Sequence, residues 1–154
     1  MIKSLKNNKI SSLRTKIIST LMVRGKKKTG EKILLKFAKL QQKSTPKSFK
    51  SVVQLAVINS TPTFKLNEQI SKKGKRKAIK SIPSFIKNDS LRIMTSLKFI
   101  KNAITKNKSS AFFYQNLAAE VIASSTLKSQ AIDQKNELQK QILVNKRYLS
   151  KFRW

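Results

Sequence analysis

Apolar residues recur at helical spacing along most of the chain and at alternate positions in one stretch. Leu13, Ile17, Ile18, Leu21 and Met22 fall at i, i+4, i+5, i+8 and i+9, one face of a helix. Ser11-Ser12 predicts its N-cap and Gly25 its stop. Thr29 predicts the next cap, ahead of a stripe of Ile33, Leu34, Phe37, Ala38 and Leu40. Thr45-Pro46 predicts a third start, because proline is tolerated at the first helical position. Phe49, Val52, Val53, Ala56 and Val57 mark that helix, and Asn59-Ser60-Thr61-Pro62 ends it.

The period then changes. Phe64, Leu66 and Ile70 alternate with polar residues, a strand signal that Glu68 interrupts. Ile79, Ile82 and Pro83 suggest a second, less regular strand, with Gly74 in the connection. Such a hairpin is too charged at its tip to be buried, so it should project.

Helical spacing returns with Leu91, Met94, Leu97, Ile100 and Ile104, capped by Asn88-Asp89-Ser90. Ser109-Ser110 predicts a fifth cap, with Phe112, Phe113, Leu117, Val121 and Ile122 as core. Ser129 predicts a sixth, with Ile132, Leu138, Ile142 and Leu149 inward. The pattern predicts a mainly α protein: a bundle of about six helices with a protruding basic β-hairpin between the third and fourth. We expect a single domain over residues 1–154, with a basic tail at 1–10 and a hairpin arm at 63–86.

The 154-residue length suits one domain and a real core, and a 39% hydrophobic fraction argues against disorder. Charge changes the picture most. Lys and Arg number 35 against 6 acids, a formal net charge of +29 that opposes a compact monomer. A polyanion should neutralise it, nucleic acid first and an anionic membrane surface second. A/T-rich codons inflate Lys, Asn and Ile, but they do not explain the shortage of acids. Without Cys or His there is no disulfide, thiolate chemistry, histidine base or common zinc site. Glu31, Glu68, Asp89, Glu120, Asp133 and Glu137 are scattered and suggest no carboxylate dyad. We therefore expect no enzyme and no cofactor. No apolar run approaches the ~20 residues of a membrane span, and the apolar faces read as used in a bundle and not left for lipid, so no membrane partner is expected. The basic, acid-free start resembles an organellar transit peptide, but with the chain beginning at Met1 it reads as an ordinary basic tail.

The stretch Gly25 to Lys32, "GKKKTGEK", has the glycine separation of a phosphate-binding P-loop. Glu31 stands where that motif needs lysine and Lys32 where it needs Ser or Thr, and the preceding segment reads as a helix. It is better read as a helix–turn–helix connection presenting Arg24, Lys26, Lys27 and Lys28 to RNA phosphates, with a helix N-terminus adding to the site. The bland alternative is a solvated charge run. Lys72, Lys73, Lys75, Arg76 and Lys77 form a second cluster at the hairpin tip. A third is the terminal "NKRYLSKFRW", where Lys146, Arg147, Lys151 and Arg153 mingle with Tyr148, Phe152 and Trp154. Phe152 fits packing onto the core better than stacking. Arg92 in the fourth helix and Trp154 complete the expected RNA contacts.

With "LMVRGKKKTGEKILLKF", the basic hairpin, "LKFIKNAI", "AFFYQNLAAEVIASS" and "KRYLSKFRW" in this order, the chain resembles the small-subunit ribosomal protein seven family, bacterial and organellar type. The likeness covers roughly Ile17 to Trp154. Gly25-Lys26-Lys27 and Phe152-Arg153-Trp154 are its most specific markers, and Leu117 to Glu120 support it. The resemblance implies a helical domain with a β-ribbon and binding to the 3′ major domain of small-subunit rRNA. It implies a place in the subunit head, with the ribbon near exit-site tRNA and mRNA, among head and platform proteins and without homo-oligomers. The chain departs from the family in a Lys-rich, slightly longer ribbon, in Phe99 where the fourth helix usually carries Trp, and in a shorter basic tail. Lys/Asn/Ile bias suggests a mitochondrion, with the gene in the organelle; a plastid or a bacterial cytoplasm is the alternative. A DNA-compacting protein is the competing binding class, and a peripheral membrane protein a third.

Overall fold

The computed structural model describes residues 13–73, 76–106 and 111–151; the side chains at 71–80 and 149–151 lie outside that description. Among the described residues there are six α-helices: α1 over 13–21, α2 (Lys27–Ser44), α3 (Phe49–Ser60), α4 (Asp89–Lys106), α5 (Phe113–Ser125) and α6 (Gln130–Val144). Strands β1 (Phe64–Lys73) and β2 (Arg76–Phe85) separate α3 from α4, and a 3-10 turn, Lys146–Lys151, follows α6. The protein is therefore mainly helical, with an antiparallel hairpin where the change of period predicted it.

Helix α3 lies at the centre. Val52, Val53, Ala56, Val57 and Ser60 are all buried and form one broad face, and the helix packs most extensively on α5. Its neighbours contribute Ile17, Ile18, Leu21, Leu34, Phe37, Leu97, Ile100, Ile104, Leu117 and Val121. Ala56, Ala103 and Ala131 have no exposed surface, so their small side chains let helix backbones approach closely. Phe37 meets Phe49 edge-on at 5.1 Å, joining α2 to α3.

Several polar groups inside the bundle are paired, whereas the side-chain amide of buried Gln41 has no partner. Ser60 and Ser96 lie 2.7 Å apart between α3 and α4. Asn59 Nδ2 donates to the carbonyls of Ser124 and Ser125 at 3.0 and 3.2 Å, tying the end of α3 to the end of α5. Glu120, only 7% exposed, accepts from the Ala131 N–H at 3.1 Å, so its carboxylate satisfies the N-terminus of α6.

Two predicted caps hold. Asn88 Oδ1 accepts from Ser90 N at 2.8 Å, and Ser129 accepts from Ile132 N at 3.3 Å. Others are corrected. Helix α1 ends at residue 21, so Gly25 shapes the turn beyond it rather than the stop itself. Helix α2 begins at Lys27, not after Thr29, and its N-cap Lys26 makes no side-chain cap bond. Thr45 closes α2 by donating its N–H to Gln41 O at 3.0 Å, and Ser48 caps α3. Pro46 therefore stands in the link, where it stops one helix instead of opening the next. Helix α5 begins at Phe113; the expected caps Ser109 and Ser110 lie outside the described residues. Leu91 and Phe112 are exposed, not core, since both precede the turn at which their helices meet the bundle. Helix α6 stops at Val144, which leaves Leu149 in the 3-10 turn.

Candidate nucleic-acid interface

The first basic cluster is built by an unusual turn. Lys26 N donates to Val23 O at 3.1 Å, and the two residues between, Arg24 and Gly25, have φ of 53° and 75°. Left-handed φ at both central positions belongs to the primed turns, for which Gly25 is suited and Arg24 is not. The conformation leaves Arg24, Lys26, Lys27 and Lys28 all exposed beside the start of α2. That start has no side-chain cap and no acid in its first turn. Lysines here oppose the helix dipole, and a bound anion would relieve both the repulsion and the unpaired N–H groups.

The P-loop likeness has a structural explanation. Gly25 supplies the positive φ, while Gly30 is buried against α1, where an added Cβ would lie 3.4 Å from Ile18 O. Glu31 pairs with Lys27 at 3.9 Å, an exposed contact worth about 0.3–0.5 kcal/mol. The element before the turn is a helix, not the buried strand a nucleotide loop requires.

The hairpin projects. Strands pair from Phe64↔Phe85 to Lys73↔Arg76, and the consecutive residues 67–70 are all exposed, so both faces of the arm meet solvent there. The register sets Lys72 opposite Lys77 and Lys73 opposite Arg76. Like charges in direct opposition destabilise a ribbon, which therefore calls for a counter-anion. Lys75 and Gly74 lie outside the described residues.

Arg92 sits at the base of this arm and is engaged there. Its Nε donates to Ile86 O at 2.7 Å, its guanidinium lies 4.8 Å from the Phe85 ring, and Asp89 is 3.7 Å away. Phe85 in turn meets Phe64 edge-on at 5.6 Å. Arg92 thus fastens α4 to β2, a role its place among expected RNA contacts did not anticipate.

At the other end, the 3-10 turn packs against β2, bringing Lys146 and Arg147 beside the arm. Both are exposed, and Arg147 lies 4.9 Å from the half-buried Tyr148 ring. Lys151 ends the turn, its side chain outside the description; Phe152, Arg153 and Trp154 lie outside the described residues altogether. The third cluster therefore lies against β2, one strand of the arm, and the turn at Arg24 to Lys28 belongs to α1 and α2.

Sequence reading missed two kinds of lysine. Lys101 Nζ donates to Thr20 O at 2.6 Å and Lys135 Nζ to Asn59 O at 2.7 Å, placing cations at the C-terminal ends of α1 and α3. These charges serve the fold, and only tertiary approach reveals them. Lys28, Lys32, Lys36, Lys39 and Lys43, by contrast, recur at helical spacing along exposed α2, a signal that was present in the sequence.

Among the described residues no group of acids could hold a metal ion, and no helix is long and apolar enough to cross a membrane. An apolar void of about 30 Å³ lies among Ile17, Phe37, Val53 and Leu97.

A family model described as ribosomal protein S7p/S5e matches residues 2–146 of this chain. No curated protein matches it.

Proposed function

The chain belongs to the ribosomal protein S7p/S5e family, and on that premise we propose that it binds the 3′ major domain of small-subunit rRNA and organises the subunit head. Members of this family are structural, rRNA-binding proteins of the small ribosomal subunit that act in translation without catalysis of their own. The finer assignment puts the arm beside exit-site tRNA and the mRNA path, and the body among head and platform proteins. The observation that carries it is the uncapped start of α2, with Arg24, Lys26, Lys27 and Lys28 exposed around it. A site of that kind suits phosphate oxygens, and a chain of +29 needs many of them. Exposed Leu143 and Val144 at the end of α6 suit a neighbouring protein. A mitochondrial ribosome is proposed on the Lys/Asn/Ile bias, with a gene in the organelle.

The arm tests the division of labour. Ser71 pairs with Ala78, so replacing residues 72–77 by Asn-Gly closes the hairpin at an existing pair. Purified subunits should still contain the shortened protein, while tRNA retention or reading-frame maintenance changes. A shortened protein that folds alone but is missing from subunits would make the arm an assembly contact instead.

A further inference from the structure

Phe112 is the one exposed phenylalanine among the described residues, at 69%. Its backbone is held: its N–H donates to Gln115 Oε1 at 3.2 Å, and its carbonyl accepts from Gln115 N at 2.9 Å. The ring lies nearly parallel to Tyr114, with centroids 5.7 Å apart and planes 13° apart. Tyr114 packs against the core, and Lys36 Nζ lies 5.5 Å from its ring centre. Lys36 belongs to the α2 row of Lys28, Lys32, Lys36, Lys39 and Lys43, which falls within about 80° of arc and spans about 22 Å. Glu31, the acid of that helix, lies outside the arc and faces Lys27.

We propose that Phe112 and Tyr114 form a stacking platform for an unpaired RNA nucleobase, with the α2 lysines holding the adjoining phosphates. A solvated aromatic ring on a fixed backbone gains stability when something covers it. The lysine row beside it selects a polyanion over an apolar protein surface, and a flat ring beside a row of cations is how single strands are bound without sequence readout. The proposal rests on the ribosomal RNA reading and adds a contact on α2 and α5, away from the arm.

The test uses the full chain with two labelled strands of equal length, a short oligouridine and its abasic counterpart, followed by fluorescence anisotropy. Phe112→Ala should weaken oligouridine binding about 5- to 150-fold. Binding of the abasic strand should be unchanged, and Phe112→Trp should restore the first affinity. Circular dichroism of the alanine variant should match wild type. Equal loss on both strands, or loss on neither, overturns the platform while leaving RNA binding intact. Failure of the wild type to bind either strand at low salt overturns the platform and the RNA reading together. A photoreactive residue at position 112 that joins protein rather than RNA in assembled subunits also overturns it.

Discussion

The guanidinium of Arg92 reaches across from α4 to the Ile86 carbonyl at 2.7 Å while covering the Phe85 ring. Ile86, 2% exposed, returns its N–H to Thr63 O at 3.0 Å, so this one side chain holds both strands of the arm where they leave the bundle. Arg92→Ala should destabilise the protein by about 1–3 kcal/mol, since the Ile86 carbonyl keeps no donor from Arg92 and the ring contact is lost. Arg92→Lys should recover part of that, lacking the planar fork. Urea unfolding measures both; a loss of RNA affinity with unchanged stability would make Arg92 an RNA contact instead.

Gly25 in the basic turn and Gly30 inside α2 should respond differently. Gly25→Ala places a Cβ in open space but at φ 75°, a strain of about 1–2 kcal/mol that Gly25→Asn should reduce. Gly30→Leu drives a side chain into the Ile18 backbone and should cost more than Gly25→Ala. Thermal unfolding of the three variants checks the order.

Glu120 anchors α6. Glu120→Gln keeps an acceptor for Ala131 N and should be mild, whereas Glu120→Ala leaves that buried N–H unmade and should cost about 1–3 kcal/mol. Hydrogen exchange at the start of α6 should quicken in the alanine variant.

Much of this architecture was legible in the chain. Leu97, Ile100 and Ile104, spaced as one face, are buried together, and the alternation from Phe64 opens a real strand. Asn88 and Ser129 cap as their side chains permit. Thr29 and Thr45 misled because a capping side chain works only where the chain turns, and the turn falls at Arg24-Gly25 and at Ser48. Arg92, Lys101 and Lys135 carry no local mark of their partners, since two of those partners lie 81 and 76 residues away. Phe112 has the composition of core and the position of a helix entrance, and position decides.

The basic turn should prove an RNA contact and not a nucleotide site. Replacing Lys26 and Lys27 by alanine should weaken affinity for an rRNA fragment and lower the slope of log affinity against log salt, by about 0.7–0.9 per lost phosphate contact. The helical circular dichroism should persist, because both side chains are exposed. ATP with magnesium should give no thermal shift; a saturable shift would restore the P-loop reading.

Ultraviolet cross-linking in the native cells, followed by identification of whatever is joined to this protein, tests the central claim most directly. The account predicts cross-links concentrated in the 3′ major domain of small-subunit rRNA, with attached peptides spanning Arg24 to Lys28 and Lys146 to Arg147. Cross-links spread over DNA, or recovered with anionic lipid in place of rRNA, would contradict it.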